Sequence, residues 1–180
     1  MLHCGRGAES AGAAAAASAR EASMLRAPVD AVLRLAYRLG FPAMRLWWFL
    51  RRPAHRGAVV AVWHEGRVLV LRQSYRDTLH FPGGGLGPGE TPRACACREL
   101  AEEVGIAVPE EALTLEREMT LLLDYRRDRV AIFALRLVEP PALRLDRREI
   151  VEASFMTPAA ALAAKLSPYA RAYLEAAPMA

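Results

Sequence analysis

The chain has 180 residues, 53% of them hydrophobic and 24% charged, with a formal net charge of +4; that is enough for one globular domain with its own core. The mild positive excess suits an anionic small molecule and is too small to argue for nucleic acid, and no run of about 18 apolar residues is present to span a bilayer. Three cysteines, Cys4, Cys95 and Cys97, give neither a disulfide framework nor a zinc site, so a reduced, cytoplasmic setting is predicted.

Residues 1–23 are alanine-rich and of low complexity. They have little to bury, so a disordered tail or frayed helix is predicted. Glu9 and Glu21 flank the alanines, which makes the segment a poor export signal, and Met24 is an alternative start. Residues 24–56 read as a helical extension. Val29, Val32, Leu33, Ala36 and Leu39 follow helical spacing, Asp30, Arg34 and Arg38 fall on another face, and Gly40 and Pro42 are predicted to end the helix. Residues 44–52 mix Trp47 and Trp48 with arginines. They read as a helix packed on the domain or on a partner; peripheral membrane contact is the less favoured reading, because the apolar stretch is short and mixed.

From residue 57 the pattern becomes that of a domain running to residue 180. Strands are predicted at 58–63 and 68–71, joined into a hairpin by Glu65-Gly66. A glycine-rich loop at 81–89 precedes a helix at 91–104. Extended chain follows at 113–123, a polar turn at 124–129, strands at 130–138 and 152–156, and helices at 158–165 and 168–176. Interleaved strands and helices with hairpins predict an α/β fold, a mixed sheet sandwiched by helices.

The chemistry concentrates in residues 84–106, GGLGPGETPRACACRELAEEVGI. Thr91 is a natural N-cap, Pro92 suits the first helical position and Gly105 is a natural stop. At about 100° per residue, with Glu99 at zero, Glu103 falls near ~40° and Glu102 near roughly −60°. The three carboxylates share one face, and Cys97, Leu100, Ala101 and Val104 are predicted to form the opposite, core-facing side. Like charges at this spacing destabilise a helix and raise one another's pKa, an arrangement that a hard divalent cation relieves. An acidic solvated helix face is the commoner meaning of ELAEE alone; the glycines at 83, 84, 85, 87 and 89, which permit close approach to a ligand, shift the balance.

This stretch resembles the Nudix box: Gly84, Glu90, Arg98, Glu99, Leu100, Glu102, Glu103, Gly105 and Ile106 fill every fixed position at the family's spacing. The flanks, Val68 to Arg72 and Phe81-Pro82-Gly83-Gly84, are similar too, and the likeness covers roughly residues 57–165. The resemblance implies an α/β/α sandwich around a mixed sheet, here with an N-terminal helical extension. It implies hydrolysis of a diphosphate linkage in a nucleoside diphosphate derivative, with Mg²⁺ or Mn²⁺. Carried over, Glu99, Glu102, Glu103 and the Gly84 carbonyl are the expected metal ligands, and Arg98 pairs with Glu90 to orient the helix. Catalytic candidates are Glu103, Glu99, Arg98 and Glu152, with Glu103, Glu149 and Glu152 as alternative general bases. Arg72, Gly83, Gly84 and Gly85 are the expected substrate contacts.

Subgroup marks do not fit. Leu121 and Leu122 stand where ADP-ribose hydrolases carry proline, and Tyr125 is displaced from the dinucleoside-polyphosphate tyrosine. The coenzyme A signature is absent between Leu71 and Phe81. His80 stands near a position where many relatives have tryptophan, and reads first as a satisfied structural histidine. Tyr75, Arg76, Arg126, Arg127 and Arg129 are candidates for a phosphate-binding mouth. Cys95, near roughly −40° on the acidic side, reads as incidental, with sensitivity of the site to oxidation or thiophilic metals as the lesser alternative. Three alternatives stay open: a non-catalytic Nudix domain acting as a ligand sensor or interaction module, a membrane- or partner-bound hydrolase, and, more weakly, an isomerase of similar fold. The expected partner is a small-molecule diphosphate, and a homodimer is left open.

Overall fold

The structure, a computed structural model, describes residues 29, 31–33, 35–44, 46–47, 54–123 and 126–176. Expectations for residues 1–23, Trp48 and Tyr125 lie outside them. The elements, in order, are a helix α1 formed by the described residues between 29 and 47, then β1 (Ala54–His64), β2 (Arg67–Gln73), β3 (Leu79–His80), β4 (Gly83–Gly85) and α2 (Pro92–Val104). A 3-10 turn at Glu110–Ala112 leads to β5 (Thr114–Leu123), β6 (Arg126–Leu137), β7 (Ile150–Met156), α3 (Pro158–Ala163) and α4 (Pro168–Ala176).

The sheet is mixed, in the order β3-β2-β1-β6-β5, with β4 added to β1 and β7 added to β2. The β1–β2 hairpin closes on Glu65-Gly66, both at positive φ (47° and 69°), as a two-residue turn matched to strand twist requires. β1 runs parallel to β6 along its whole length. On its other edge β1 meets β2 only at Trp63 and His64, and β4 at Gly57, Ala58 and Val59. The sheet therefore forks beside β1, and the glycine strand lies in the fork.

Both faces of β1 are buried, so its sequence is a continuous apolar run rather than an alternation. Ala58, Val60 and Val62 join Leu69, Leu71, Phe133 and Leu100 in one core, under α2. Val59 and Ala61 join Val68, Val70, Ile132, Ala170, Tyr173 and Leu174 in the other, under α3 and α4. Helices thus cover both faces, the α/β/α sandwich read from the sequence.

Three expectations are corrected. First, Gly40 and Pro42 do not end α1, since residues 35–44 are helical throughout. Second, the apolar stripe of α1 is only partly engaged: Val29, Val32 and Leu39 are exposed, Leu33 is half-buried and Ala36 lines the cavity described below. The helix docks instead through Tyr37 and Phe41, whose rings lie 5.8 and 5.1 Å from that of Tyr75. This side-on docking holds the turn that contains Pro42, whose missing N–H and ring clash disfavour a helix interior. Third, the polar turn at 124–129 is much shorter than expected, because Leu123 pairs with Arg126 and the hairpin ladder continues through Arg127, Asp128 and Arg129.

Leu100 is fully buried between α2 and the sheet. Leu100→Ala should lower the unfolding free energy by about 3 kcal/mol, as cavity formation in a packed core does, measured by urea denaturation.

Candidate active site

The site begins with how α2 starts. The Thr91 hydroxyl accepts from the Ala94 N–H at 3.1 Å and Pro92 occupies the first turn. Upstream, the Gly87 N–H donates to Glu90 Oε2 at 2.7 Å, which ties the loop to Glu90. Gly105, at φ 74°, terminates the helix against Arg144.

Arg98 is the hub. It donates from Nε to Glu90 Oε1 (2.8 Å) and from Nη2 to Glu90 Oε2 (3.0 Å), a bidentate pair. Its Nη1 donates to Glu99 Oε1 (2.8 Å) and Glu102 Oε2 (3.1 Å), and Nη2 also reaches the Gly85 carbonyl. The guanidinium beside Glu90 holds that carboxyl down at about 2. One cation thus clamps the loop, the glycine strand and two helix carboxylates together.

The buried arc of α2 is rotated from the one expected. Cys95, Ala96, Leu100, Glu103 and Val104 are buried, while Ala101 is exposed. Glu103 lies inside the buried arc with only 6% exposure, and Glu99 sits at its edge. Burial is tolerated because β4 has no side chains. The Gly83 N–H donates to Glu103 Oε2 at 2.8 Å. A Cβ on Gly84 would lie 2.4 Å from Glu99 Oε1, so only glycine leaves room for that carboxylate. Removal from water raises the pKa of Glu103 well above its usual value, the Gly83 N–H offsets part of this, and Glu99, Glu149 and Asp146 add to it. Burial also raises Glu99, with Arg98 pulling the other way.

Glu99, Glu103 and Gly83–Gly85 line a cavity of about 610 Å³, together with Glu149, Tyr75, Arg76, His80 and the α1 residues Tyr37 and Phe41. Glu149 is held there by the Tyr75 hydroxyl and by Gln73 Nε2 (2.9 Å). Of the other expected site residues, Glu102 is more than half exposed on the helix rim. Glu152 and Arg72 lie away from the cavity, paired with each other at 2.5 and 3.0 Å. Of the phosphate-mouth candidates, Tyr75 and Arg76 reach the cavity and Arg129 pairs with Glu118 instead. Tyr37, Phe41, Gln73, His55 and Asp128 also line it and were not singled out from the sequence. The period-of-two pattern of β6 would have flagged Asp128 as a buried acid, had the strand been extended to it.

His80 is buried, with Nδ1 donating to the Phe81 carbonyl at 2.9 Å and Nε2 without a partner among the described residues. It is therefore only half satisfied, and burial lowers its pKa to about 4. Cys95 is fully buried against the Gly84 and Gly85 carbonyls, and burial pushes its thiol up to about 11, which disfavours the reactive thiolate.

The donor set suits a hard cation: carboxylate oxygens at Glu99, Glu102 and Glu103, and the Gly84 carbonyl, with buried Glu103 and half-buried Glu99 repelling each other at its centre. Among the described residues no three His, Cys, Asp or Glu side chains are gathered as a ready-made cage. Arg98, bonded to Glu99 and Glu102, takes part of the countercharge.

Two outcomes follow from this geometry. Gly83 has φ 147° and its Cβ would lie 2.3 Å from the Ala58 carbonyl oxygen, whereas at Gly84 the obstruction is the movable end of Glu99. Gly83→Ala should cost about 3 kcal/mol of stability and Gly84→Ala less than about 1 kcal/mol, by chemical denaturation. His80 is kept neutral in the folded state and takes a proton below about 6.5 when unfolded. Its contribution is present at neutral pH and lost as pH falls from 6.5 towards 4, so His80→Asn should reduce the acid-induced fall in Tm across that window, equivalent to about 3 kcal/mol.

The comparisons agree on a family. A MutT-like protein from Streptomyces ambofaciens is 41% identical over 64 residues, covering 34% of this chain and 42% of that protein. An RNA pyrophosphohydrolase from Yersinia enterocolitica is 48% identical over 42 residues, covering 23% of this chain and 24% of that protein. The chain thus spans less than half the length of these curated relatives. Among solved structures, the E. coli dihydroneopterin triphosphate pyrophosphohydrolase superposes with a TM-score of 0.58 and 26% identity, over 67% of this chain and 92% of that one. The NUDIX domain model matches residues 53–177, from the start of β1 to the end of α4, and the chain belongs to the Nudix family.

Proposed function

We propose that this chain is a pyrophosphohydrolase that uses Mg²⁺ or Mn²⁺ to cleave a diphosphate linkage in a nucleoside diphosphate derivative. The observation that carries this reading is the seating of Glu103 and Glu99 against the backbone of Gly83 and Gly84, inside a cavity, with Arg98 locking their helix to the loop. A buried carboxylate beside a half-buried one is unfavourable for folding, and because Arg98 offsets, of these two, the charge of Glu99 only, a bound cation would relieve the rest. Relatives named as pyrophosphohydrolases support the same reaction class.

Glu99, Glu102 and Glu103, with the Gly84 carbonyl, would hold the cation. When bound, it neutralises diphosphate charge and lowers the pKa of an attacking water. The chain's own groups supply the rest. Arg98 keeps Glu99 in place by donating to it while tied to Glu90. Arg76 stands at the cavity wall, where a guanidinium suits phosphate oxygens. Glu103, seated in the cavity against the Gly83 N–H, is one candidate for the proton acceptor. Glu149, in the same cavity and held by Tyr75 and Gln73, is the alternative acceptor. Glu152 is the weaker candidate because its carboxylate is engaged by Arg72 away from the cavity.

Glu103→Gln should lower turnover by at least about 100-fold while the protein stays folded. The measurement is hydrolysis of nucleoside triphosphates, nucleotide sugars, ADP-ribose and dinucleoside polyphosphates in magnesium or manganese, with products identified by mass spectrometry. Normal activity in the folded variant, or no turnover of any of these by the wild-type protein, rejects the reading.

A further inference from the structure

The family match begins at residue 53, yet the cavity is not closed by the matched domain alone. Ala36, Tyr37, Gly40, Phe41 and Met44, all from α1, form part of its lining. These positions recur every three to four residues, so they make one stripe of the helix. Had α1 served only to cover apolar surface, its large aliphatic side chains would face inward; Val29, Val32, Leu35 and Leu39 are exposed instead. The side turned to the domain carries rings.

Those rings are arranged as a wall. Tyr37 stacks on Tyr75 with centroids 5.8 Å apart and planes 29° apart. Phe41 lies 5.1 Å from Tyr75, tilted by 41°. The Arg76 guanidinium sits over the Phe41 ring, 4.6 Å from its centroid. Tyr75 belongs to two neighbourhoods at once: its ring meets α1, and its hydroxyl donates to Glu149. The aromatic wall therefore ends where the acidic edge begins, with a cation at the seam. That order of surfaces matches a molecule in which a planar ring is joined to a phosphate group.

We propose that α1 supplies a specificity-determining wall of the substrate cavity, in which Tyr37 and Phe41, backed by Tyr75, bind a planar ring carried by the diphosphate substrate. This rests on the diphosphate reading of the Glu99 and Glu103 edge. Aromatic contacts of this kind contribute selectivity for the ring and nothing for the diphosphate itself.

The test is calorimetric titration of the full chain, in magnesium buffer, with two probes that cannot be hydrolysed: adenosine α,β-methylenediphosphate, which carries a ring, and methylenediphosphonate, which does not. The wild-type protein should bind the ring-bearing probe at least about tenfold more tightly, and Tyr37→Ala and Phe41→Ala should each weaken it by about three- to tenfold. Binding of the ring-free probe should not change, and Tyr37→Phe should restore the ring-bearing affinity. Tyr37 is 44% exposed, so Tyr37→Ala should melt with the wild type and decides the matter even if Phe41→Ala is unstable. Unchanged affinities in the variants, equal weakening of both probes, or a wild-type protein without ring preference overturns the proposal. Because the readout is binding, a protein that hydrolyses no diphosphate but keeps the Tyr37-dependent ring preference would sink the hydrolase reading and leave the wall standing.

Discussion

The whole arrangement depends on one steric constraint: two carboxylates lie against a backbone that has no Cβ atoms. Gly83 gives an N–H to Glu103, and Gly84 leaves the space that Glu99 occupies. Any side chain there would push α2 away from the sheet or its carboxylates out of the cavity. The forked sheet makes the contact possible. β1 releases β2 after two residues and takes up the glycine strand instead, so a three-residue strand of glycine stands where a full strand with side chains would have filled the space.

Holding acids together in a low-dielectric setting raises the energy of the folded state, and the compensation is local. Arg98 meets Glu90, Glu99, Glu102 and the Gly85 carbonyl at once. Its bidentate grip on Glu90 fixes the loop, and Glu90 in turn accepts from Gly87. A lysine could not make this set of contacts, because it lacks the planar fork. The result is a site whose charges are positioned before any ligand arrives, the condition under which electrostatic catalysis is most effective.

Much of this was legible in residue types alone. Thr91, Pro92 and Gly105 bound α2 where capping chemistry places them, and the pairing of Glu90 with Arg98 is the one that the Nudix resemblance implied. The layered α/β fold followed from the order of the patterns. What stayed hidden has physical causes. Periodicity assumes that charge points outward, so it put Ala101 in the core and left Glu103 out; only the glycines opposite explain the reverse. Glu152 and Glu149 are three residues apart, and which one meets the cavity depends on strand register. β7 pairs with β2 with an irregularity at Arg72 and Gln73, which sets Glu152 beside Arg72, while Glu149 lies before the strand and accepts from Tyr75. The contribution of α1 is not visible in its apolar periodicity, because its contacts run through the rings of Tyr37 and Phe41 rather than through its large aliphatic side chains.

The parallel pairing of β1 with β6 has a further consequence, for how the molecule is made. Each paired residue is 73 positions from its partner, Ala54 with Arg127 through His64 with Leu137. Contacts of such long range are slow to form, because the intervening loop loses its freedom before the pairing is gained. During synthesis the acidic helix therefore leaves the ribosome well before the strand that completes the sheet beneath it. Until β6 arrives, the apolar run of β1 has an unpaired edge, which makes this interval the one in which the nascent chain is most exposed to aggregation.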